Sequence, residues 1–363
     1  MRVLLLGFGK IAYMPYMNFY LDALKDQKDK EIELIYWDRD GKPDAAVPEQ
    51  ISKAYRFEAH LEEQLPFIKK LIFFAKYRSF ALKVLRQNKY DRIIVLHTTP
   101  GLTLIDYLHR HYKGRFILDF RDISYEYIPI YRKLVARLSK DAACTFVSSN
   151  AFRKYLPSQK EVYTVHNYLE DSLNHVGLRN KSNRERDVLR VSYWGLVRQV
   201  DVNKLVMDAL GNDQRFELHY YGRMQQDGRD MEEYMRNKGY RNVFFHGTYM
   251  PADRYEFATN TDLIHNIYDL GHTMGNAMGN KYYDGVIFEI PQICTDGSHM
   301  GNVITERQVG VTIDLCDPGI ADKLWDYYHS LDWQTFQQNC KTAREVFLVE
   351  QDKTKQRLMN FFV

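Results

Sequence analysis

The sequence predicts an α/β protein of two similar-sized domains, each built around a parallel β-sheet. Three observations predict it. Apolar, strand-like runs alternate with helical stretches along the whole chain, the pattern left by repeated strand–helix–strand units. At 363 residues the chain has the length of two domains of roughly 100–200 residues each. Glu170 to Asp187, containing Arg179-Asn-Lys-Ser-Asn-Arg-Glu-Arg-Asp187, is polar, charged and free of apolar periodicity, so it separates two groups of strands. The expected domains are 1–170 and 188–340, with a linker at 171–187 and a helical stretch at 341–363.

Taking the elements in order, Met1-Arg-Val-Leu-Leu-Leu-Gly7 has too short an apolar stretch for a secretion signal and no small-x-small site before Lys10. It reads as a first strand, Val3–Leu6. Further strands are expected at Ile32–Trp37, Arg92–Leu96, Phe116–Phe120, Cys144–Ser148 and Val162–Val165, and in the second half at Leu189–Trp194, Phe216–Tyr221, Val243–His246, Leu263–Ile267, Val286–Ile290 and Val311–Ile313. Three successive strands of the second half end in glycine, at Gly195, Gly222 and Gly247. A strand end without a Cβ lets a ligand or another backbone approach closely, and open parallel sheets bind ligands beyond those ends.

Composition narrows the function classes. With 45% hydrophobic and 27% charged residues, disordered and fibrous architectures are excluded. No apolar run approaches about 18 residues, so no membrane-spanning helix is expected. The formal charge of +3, from 50 basic and 47 acidic residues, does not call for a nucleic-acid partner. Cys144, Cys294, Cys316 and Cys340 are far apart and form no CxxC, which fits a reducing cytosol and excludes a zinc-ribbon site. The 27 Tyr and 20 Phe suit ligand grooves and membrane interfaces, or reflect compositional bias.

Several segments have the residues for chemistry. Gly7-Phe-Gly9-Lys-Ile-Ala12 follows the first strand in the pattern G-x-G-x-x-G/A. Its glycines allow a tight turn and close approach of an anion. With Asp38 closing the next strand it admits a dinucleotide, hence an NAD-dependent oxidoreductase. Asp38 nevertheless falls later than the usual spacing of about 20 residues, and Pro15 intrudes on the expected helix. Asp38-Arg-Asp40 is a D-x-D pair that can share a divalent cation, or simply the start of a turn at Gly41-Lys-Pro43. No His/Cys/carboxylate metal cluster stands out. Residues 66–89 carry seven basic residues and no acid, with Lys69, Lys76 and Lys83 on one helical stripe among Phe67, Phe73, Phe74 and Phe80. This suits an anionic membrane surface, or an ordinary helix with a solvated basic side. His97 closes a strand beside Thr98 and Thr99, where it can donate to a sugar or phosphate. The densest segment is Gly271-His-Thr-Met-Gly-Asn-Ala-Met-Gly-Asn-Lys-Tyr-Tyr-Asp-Gly285. Its Asn276, Gly279 and Asn280 lead into a helix start that offers free amides to a phosphate. Lys281 adds a point charge, and Asp284, one turn on, can accept ribose hydroxyls.

These motifs resemble the GT-B glycosyltransferases of the large retaining group called group 1 or family 4, over nearly the whole length. The glycine loop, His97, Val147-Ser-Ser149 and Val165-His-Asn167 resemble the acceptor half. Trp194-Gly-Leu-Val-Arg198 with Lys204 resembles the opening of the donor half, Asn280-Lys-Tyr-Tyr-Asp284 its N-K-hydrophobic-x-E signature, Ile290-Pro-Gln-Ile293 the strand that follows, and Val309-Gly-Val311 a later strand. The chain departs from the group in having Asp284 for Glu and Asn276 where a second Glu is common. The resemblance implies two Rossmann-like domains facing each other across a cleft, with the C-terminal helix packed back on the N-terminal domain. It implies transfer of a sugar, with retention and without an essential metal or other cofactor, from a nucleoside-diphosphate sugar to a glycan or lipid-linked acceptor at the cytoplasmic membrane face. A role in cell-surface polysaccharide synthesis would follow. Catalysis would fall to His97, Arg198, Lys204 and Lys281, and nucleotide-sugar binding to Gly7, Gly9, Gly195, Gly222, Gly247, Asn276, Gly279, Asn280 and Asp284. The NAD-dependent oxidoreductase and a non-catalytic, glycan-binding GT-B protein are the alternatives.

Overall fold

The structure, a computed structural model, describes residues 1–25, 27, 29–61, 67–158, 161–181 and 187–363. The chain forms two compact units, residues 1–166 with 349–363, and residues 167–348.

The first unit is built on strands β1 (Arg2–Leu6), β2 (Glu31–Asp38), β3 (Ile51–Glu58), β4 (Arg92–Leu96), β5 (Phe116–Phe120), β6 (Cys144–Val147) and β7 (Val162–Thr164). All pairings are parallel, in the order β3-β2-β1-β4-β5-β6-β7. Its helices are α1 (Asn18–Leu24), α2 (Phe67–Gln87), α3 (Thr98–Thr103), α4 (Ile105–His111) and α5 (Pro129–Asp141). Successive strand residues point to opposite faces, so β1 serves two cores. Leu4 and Leu6 meet Tyr77 and Ala81 of α2 and Leu108 of α4, while Val3 and Leu5 meet Tyr20 and Leu21 of α1. Much of the aromatic surplus is spent in the first of these cores, where Phe8 lies 4.7 Å from Tyr77 and 5.0 Å from Trp37 between ring centroids. Strand β3 was not expected. It is an edge strand carrying Lys53, Arg56 and Glu58, and charge on an edge hides the apolar alternation while protecting the edge from foreign pairing.

The second unit is built on β8 (Leu189–Trp194), β9 (Phe216–Tyr221), β10 (Val243–Gly247), β11 (Leu263–Asn266), β12 (Gln292–Thr295) and β13 (Gly310–Ile313), parallel in the order β10-β9-β8-β11-β12-β13. Its helices are α6 (Val200–Leu210), α7 (Gln226–Lys238), α8 (Asp253–Thr259), α9 (Asn280–Phe288), α10 (His299–Glu306), α11 (Ile320–His329) and the first part of α12 (Trp333–Phe361). The strand expected at Val286–Ile290 is instead the end of α9. A short apolar run buried on all sides looks alike in a strand and a helix, so periodicity cannot separate them. Glu289 closes the helix in the left-handed conformation (φ 59°), and Pro291 precedes the true strand β12.

The expected linker is also corrected over residues 170–181. They form two 3₁₀ segments of the second unit, with Ser172 and Arg179 buried. Arg179 Nη2 donates to Asp262 Oδ1 (2.6 Å) and to Tyr328 Oη (2.7 Å). Residues 182–186 of that linker lie outside the described residues. From Val349 onward α12 belongs to the first unit. There Thr354 Oγ1 donates to the Thr164 carbonyl (2.7 Å) and His166 Nε2 lies 2.9 Å from Glu350 Oε2. No described helix is long and apolar enough to cross a membrane.

Candidate functional site

In an open parallel sheet the strand order reverses at one point, and the crevice beyond the strand ends there is the natural ligand site. In the second unit the reversal falls between β8 and β11, whose C-terminal ends are Tyr193-Trp194 and Asn266. Helix α9 starts there, and its second residue is Lys281. The Lys281 ammonium donates to Tyr268 Oη, just past β11, and lies 4.0 Å from the centroid of the Tyr193 ring on β8. Lys281 is buried (5% exposed), and among the described residues no carboxylate pairs with it. Burial, with the nearby charge of Arg198 adding to it, lowers its pKa from the usual 10.5. Arg198, exposed, reaches the loop before α9, with Nη2 3.9 Å from Met274 Sδ. Gly279 precedes α9 and provides no side-chain cap, so the amides of Asn280 and Lys281 head the helix. Asn276 donates to the His272 carbonyl (2.7 Å), ordering the loop.

Asp284 lies one turn into α9 and is buried (2% exposed). Its Oδ2 accepts from Trp194 Nε1 (2.9 Å) and lies 3.6 Å from Arg254 Nη1. Burial raises its pKa above 3.8, against the opposing charges of Arg254 and Lys281 and the Trp194 hydrogen bond. One oxygen is thus committed to the core and Oδ1 is left for a ligand. Lys204 goes elsewhere: its Nζ sits 5.0 Å from the centroid of Tyr234 on α7, apart from the Lys281 cluster.

The strand-end glycines divide by cause. A Cβ on Gly222 would fall 1.6 Å from the Gly195 carbonyl oxygen, so the close approach there is backbone against backbone. Gly195 (φ 123°) and Gly247 (φ 74°) have open space around the missing Cβ, and their need is conformational.

The first unit has its own crevice at its own reversal, between β1 and β4. A cavity of about 490 Å³ is lined there by Gly9 and Lys10 after β1, by His97 and Thr99 after β4, and by Tyr16 and Tyr125 among others. His97 is half-buried with φ 95°, a strained backbone for a non-glycine residue, and its Nδ1 accepts from the Thr99 amide (3.3 Å). Burial pushes its pKa below 6.5, leaving a neutral imidazole. The glycine loop, however, is closed from within. Asp44 accepts from the amides of Ile11 (3.0 Å) and Ala12 (2.9 Å), and Lys10 Nζ binds Asp40 Oδ1 (2.6 Å). Asp38, which a dinucleotide would need for its ribose, accepts from Arg56 and from the Gly41 amide (3.0 Å). Gly7 is a packing glycine: a Cβ there would lie 2.7 Å from Met14 Sδ, and its carbonyl accepts from Tyr77 Oη (2.6 Å). The loop therefore offers no open pyrophosphate cradle, and the dinucleotide reading loses its geometric basis.

The structure thus gathers Arg198, Asn276, Gly279, Asn280, Lys281 and Asp284 around one end of the second sheet, and Gly9 with His97 around one end of the first. Sequence reading missed Tyr268, Arg254 and Asp44. Tyr268 stands two residues past β11, so its place at a strand end was the available signal. Arg254 and Asp44 had none, because their roles come from partners distant in sequence. Among the described residues no group of three or more His, Cys, Asp or Glu side chains is placed to hold a metal.

No protein-family model matches the sequence, and no curated protein matches it. Solved structures do match over the full length. Sucrose-phosphate synthase from Thermosynechococcus elongatus aligns with a TM-score of 0.74 at 12% identity, covering 100% of this chain and 99% of that one. Anabaena Alr3699/HepE in complex with UDP aligns with a TM-score of 0.69 at 12% identity, covering 99% and 100%. A glycosyltransferase from Rickettsia africae aligns with a TM-score of 0.67 at 10% identity, covering 99% and 98%. The chain has the GT-B fold, with two Rossmann-like units.

Proposed function

We propose that this chain is a glycosyltransferase that takes a sugar from a nucleoside-diphosphate sugar. The observation that carries the reading is Lys281, a buried ammonium without a carboxylate partner at the strand-order reversal of the second unit. A buried charge is costly unless something of opposite sign meets it, and a diphosphate is such a partner. Arg198 and the amides heading α9 add to the same field. The likeness to structures whose titles include UDP, UDP-glucose and UDP-2-fluoro glucose complexes points the same way.

In the reaction, the bond between the sugar's anomeric carbon and the diphosphate oxygen breaks, and a bond to the acceptor hydroxyl oxygen forms as that hydroxyl loses its proton. Negative charge grows on the leaving diphosphate. Lys281, Arg198 and the α9 amides stabilise it where it develops, which is the largest lever available to a preorganised site. These side-chain cations supply the charge neutralisation that a divalent ion provides elsewhere, so the transfer is proposed to be metal-independent, with retention of configuration. Asp284 Oδ1 takes a ribose hydroxyl. His97, kept neutral by burial, contacts the transferred sugar. The acceptor is a glycan or a lipid-linked sugar, in cell-surface polysaccharide synthesis at the cytoplasmic membrane face, with exposed Lys69, Lys76 and Lys83 of α2 turned to anionic lipid.

Calorimetric titration with UDP, GDP and NAD, paired with measurement of UDP release from UDP-glucose, tests this. Nucleoside-diphosphate binding lost in Lys281→Ala supports the reading. Binding of NAD alone would overturn it in favour of an oxidoreductase, and binding of glycans without any nucleotide would make the chain a non-catalytic GT-B protein.

A further inference from the structure

We propose that α5 and the residues just before it form a second lipid-contacting surface. Together with α2, it seats the mouth of the first unit's cavity on an anionic phospholipid bilayer, so that the acceptor entering that cavity is lipid-anchored. This deepens the transferase reading above and rests on it for the word acceptor.

Helix α5 buries one face, with Val135, Leu138 and Ser139 turned to the unit's interior. Its opposite face is apolar and basic together. Ile130 is 70% exposed and Leu134, one turn on, is 40% exposed. Lys133, Arg137 and Lys140 are exposed along the adjoining i, i+4, i+7 stripe. The helix's one acid, Asp141, is buried against His109 (2.8 Å), so it does not offset that stripe. Tyr127 and Ile128, exposed just before α5, extend the apolar part.

The position of this face gives it meaning. In parallel units each helix runs back from the C-terminal ends of the strands, so the first turns of α2 and α5 share the sheet edge where the cavity opens. The cavity lining shows this directly, since Lys70 and Phe74 of α2 and Ser124 and Tyr125 before α5 all contribute to it. Helix α3 packs against both α2 and α5. Exposed Leu71 and Ile72 on the α2 side therefore answer Ile128 and Ile130 on the α5 side, with cations beside each pair. Apolar tips that can enter the acyl boundary, flanked by long cationic side chains that stay at the headgroups, are what a bilayer interface selects. A second copy of the chain is a poorer occupant, because pairing this face with itself would set Lys133 and Arg137 against their own counterparts.

The test is flotation of the full chain with phosphatidylcholine vesicles and with phosphatidylcholine–phosphatidylglycerol vesicles. The parent should float only with the anionic vesicles. Ile130→Ser/Leu134→Ser and Lys133→Glu/Arg137→Glu should each lower that affinity about tenfold or more. Melting temperature and UDP titration should stay unchanged, because all four side chains are exposed. The proposal is overturned if both α5 variants bind anionic vesicles like the parent while Lys69→Glu/Lys76→Glu/Lys83→Glu loses binding, since α2 then docks alone. It is equally overturned if the parent floats with neither vesicle, or if Ile130→Ser/Leu134→Ser abolishes self-association and leaves flotation intact. A parent that floats yet binds no nucleoside diphosphate would refute the lipid-anchored acceptor and the transferase reading, leaving only the docking surface.

Discussion

Replacing Lys281 with methionine separates a ligand role from a structural one, because the two predict opposite signs. In the folded chain the ammonium is buried, with one hydrogen bond to Tyr268 Oη and a ring contact to Tyr193 at 4.0 Å. Methionine keeps much of the apolar stem and removes the cost of burying an uncompensated charge. The lost ring contact costs about 1–2 kcal/mol in a desolvated setting, so the ligand-free variant should be as stable as the parent or more so. Against a diphosphate the same change removes a charge-assisted hydrogen bond of about 1.5–3 kcal/mol. UDP affinity should then fall roughly ten- to hundredfold, and uridine affinity should hardly move. Stability has a pH signature as well. The pKa of Lys281 is lowered by burial, so below 10.5 the folded state holds fewer protons than the unfolded state, and stability rises with pH through that window. The stability gap between Lys281→Met and the parent should therefore narrow as pH climbs toward 10.5. Calorimetric titration with UDP and uridine, together with melting curves across pH, measures all of this. A variant that loses more than about 2 kcal/mol of stability yet binds UDP like the parent would refute the reasoning and make Lys281 a structural residue.

Other expectations follow from the same geometry. Asp284→Ala should lower both UDP affinity and stability, since it strands the buried Trp194 Nε1–H and Arg254; an unsatisfied buried group costs about 1–3 kcal/mol. Asp284→Glu should be destabilising by about 1–3 kcal/mol, because the core has no room for the extra methylene; a melting temperature equal to the parent's would contradict this. Gly222→Ala should abolish soluble expression or lower the melting temperature far more than Gly195→Ala does, because only the former drives a Cβ into a carbonyl oxygen. His265, buried beside Lys281, has its pKa lowered to about 3 by burial and by the lysine's charge. The unfolded chain takes up that proton first, so stability should decline as pH falls from 6.5 toward 3, by up to about 1.4 kcal/mol per pH unit. His265→Asn, which can still accept from the Ile267 amide, should show a flatter acid limb in pH-dependent melting.

The sequence by itself determined the two-unit α/β plan, because alternating apolar runs have few ways to bury themselves other than as parallel sheets flanked by helices. It also located the Gly271–Gly285 segment, since a glycine- and asparagine-rich approach to a helix start is a local feature. Local pattern failed where burial overrode it, at Val286–Ile290, and where an edge strand traded apolar alternation for charge, at Ile51–Glu58. It also failed where a residue's role depends on a distant partner. Asp44 closing the Ile11 and Ala12 amides decides against a dinucleotide in the first unit. Tyr193 and Tyr268 enclose Lys281, and Trp194 and Arg254 draw Asp284 into the core. Those pairings exist because strand order places β8 beside β11 and brings α9 over their ends. That juxtaposition is set by long-range packing of the whole sheet, and only the tertiary structure decided it.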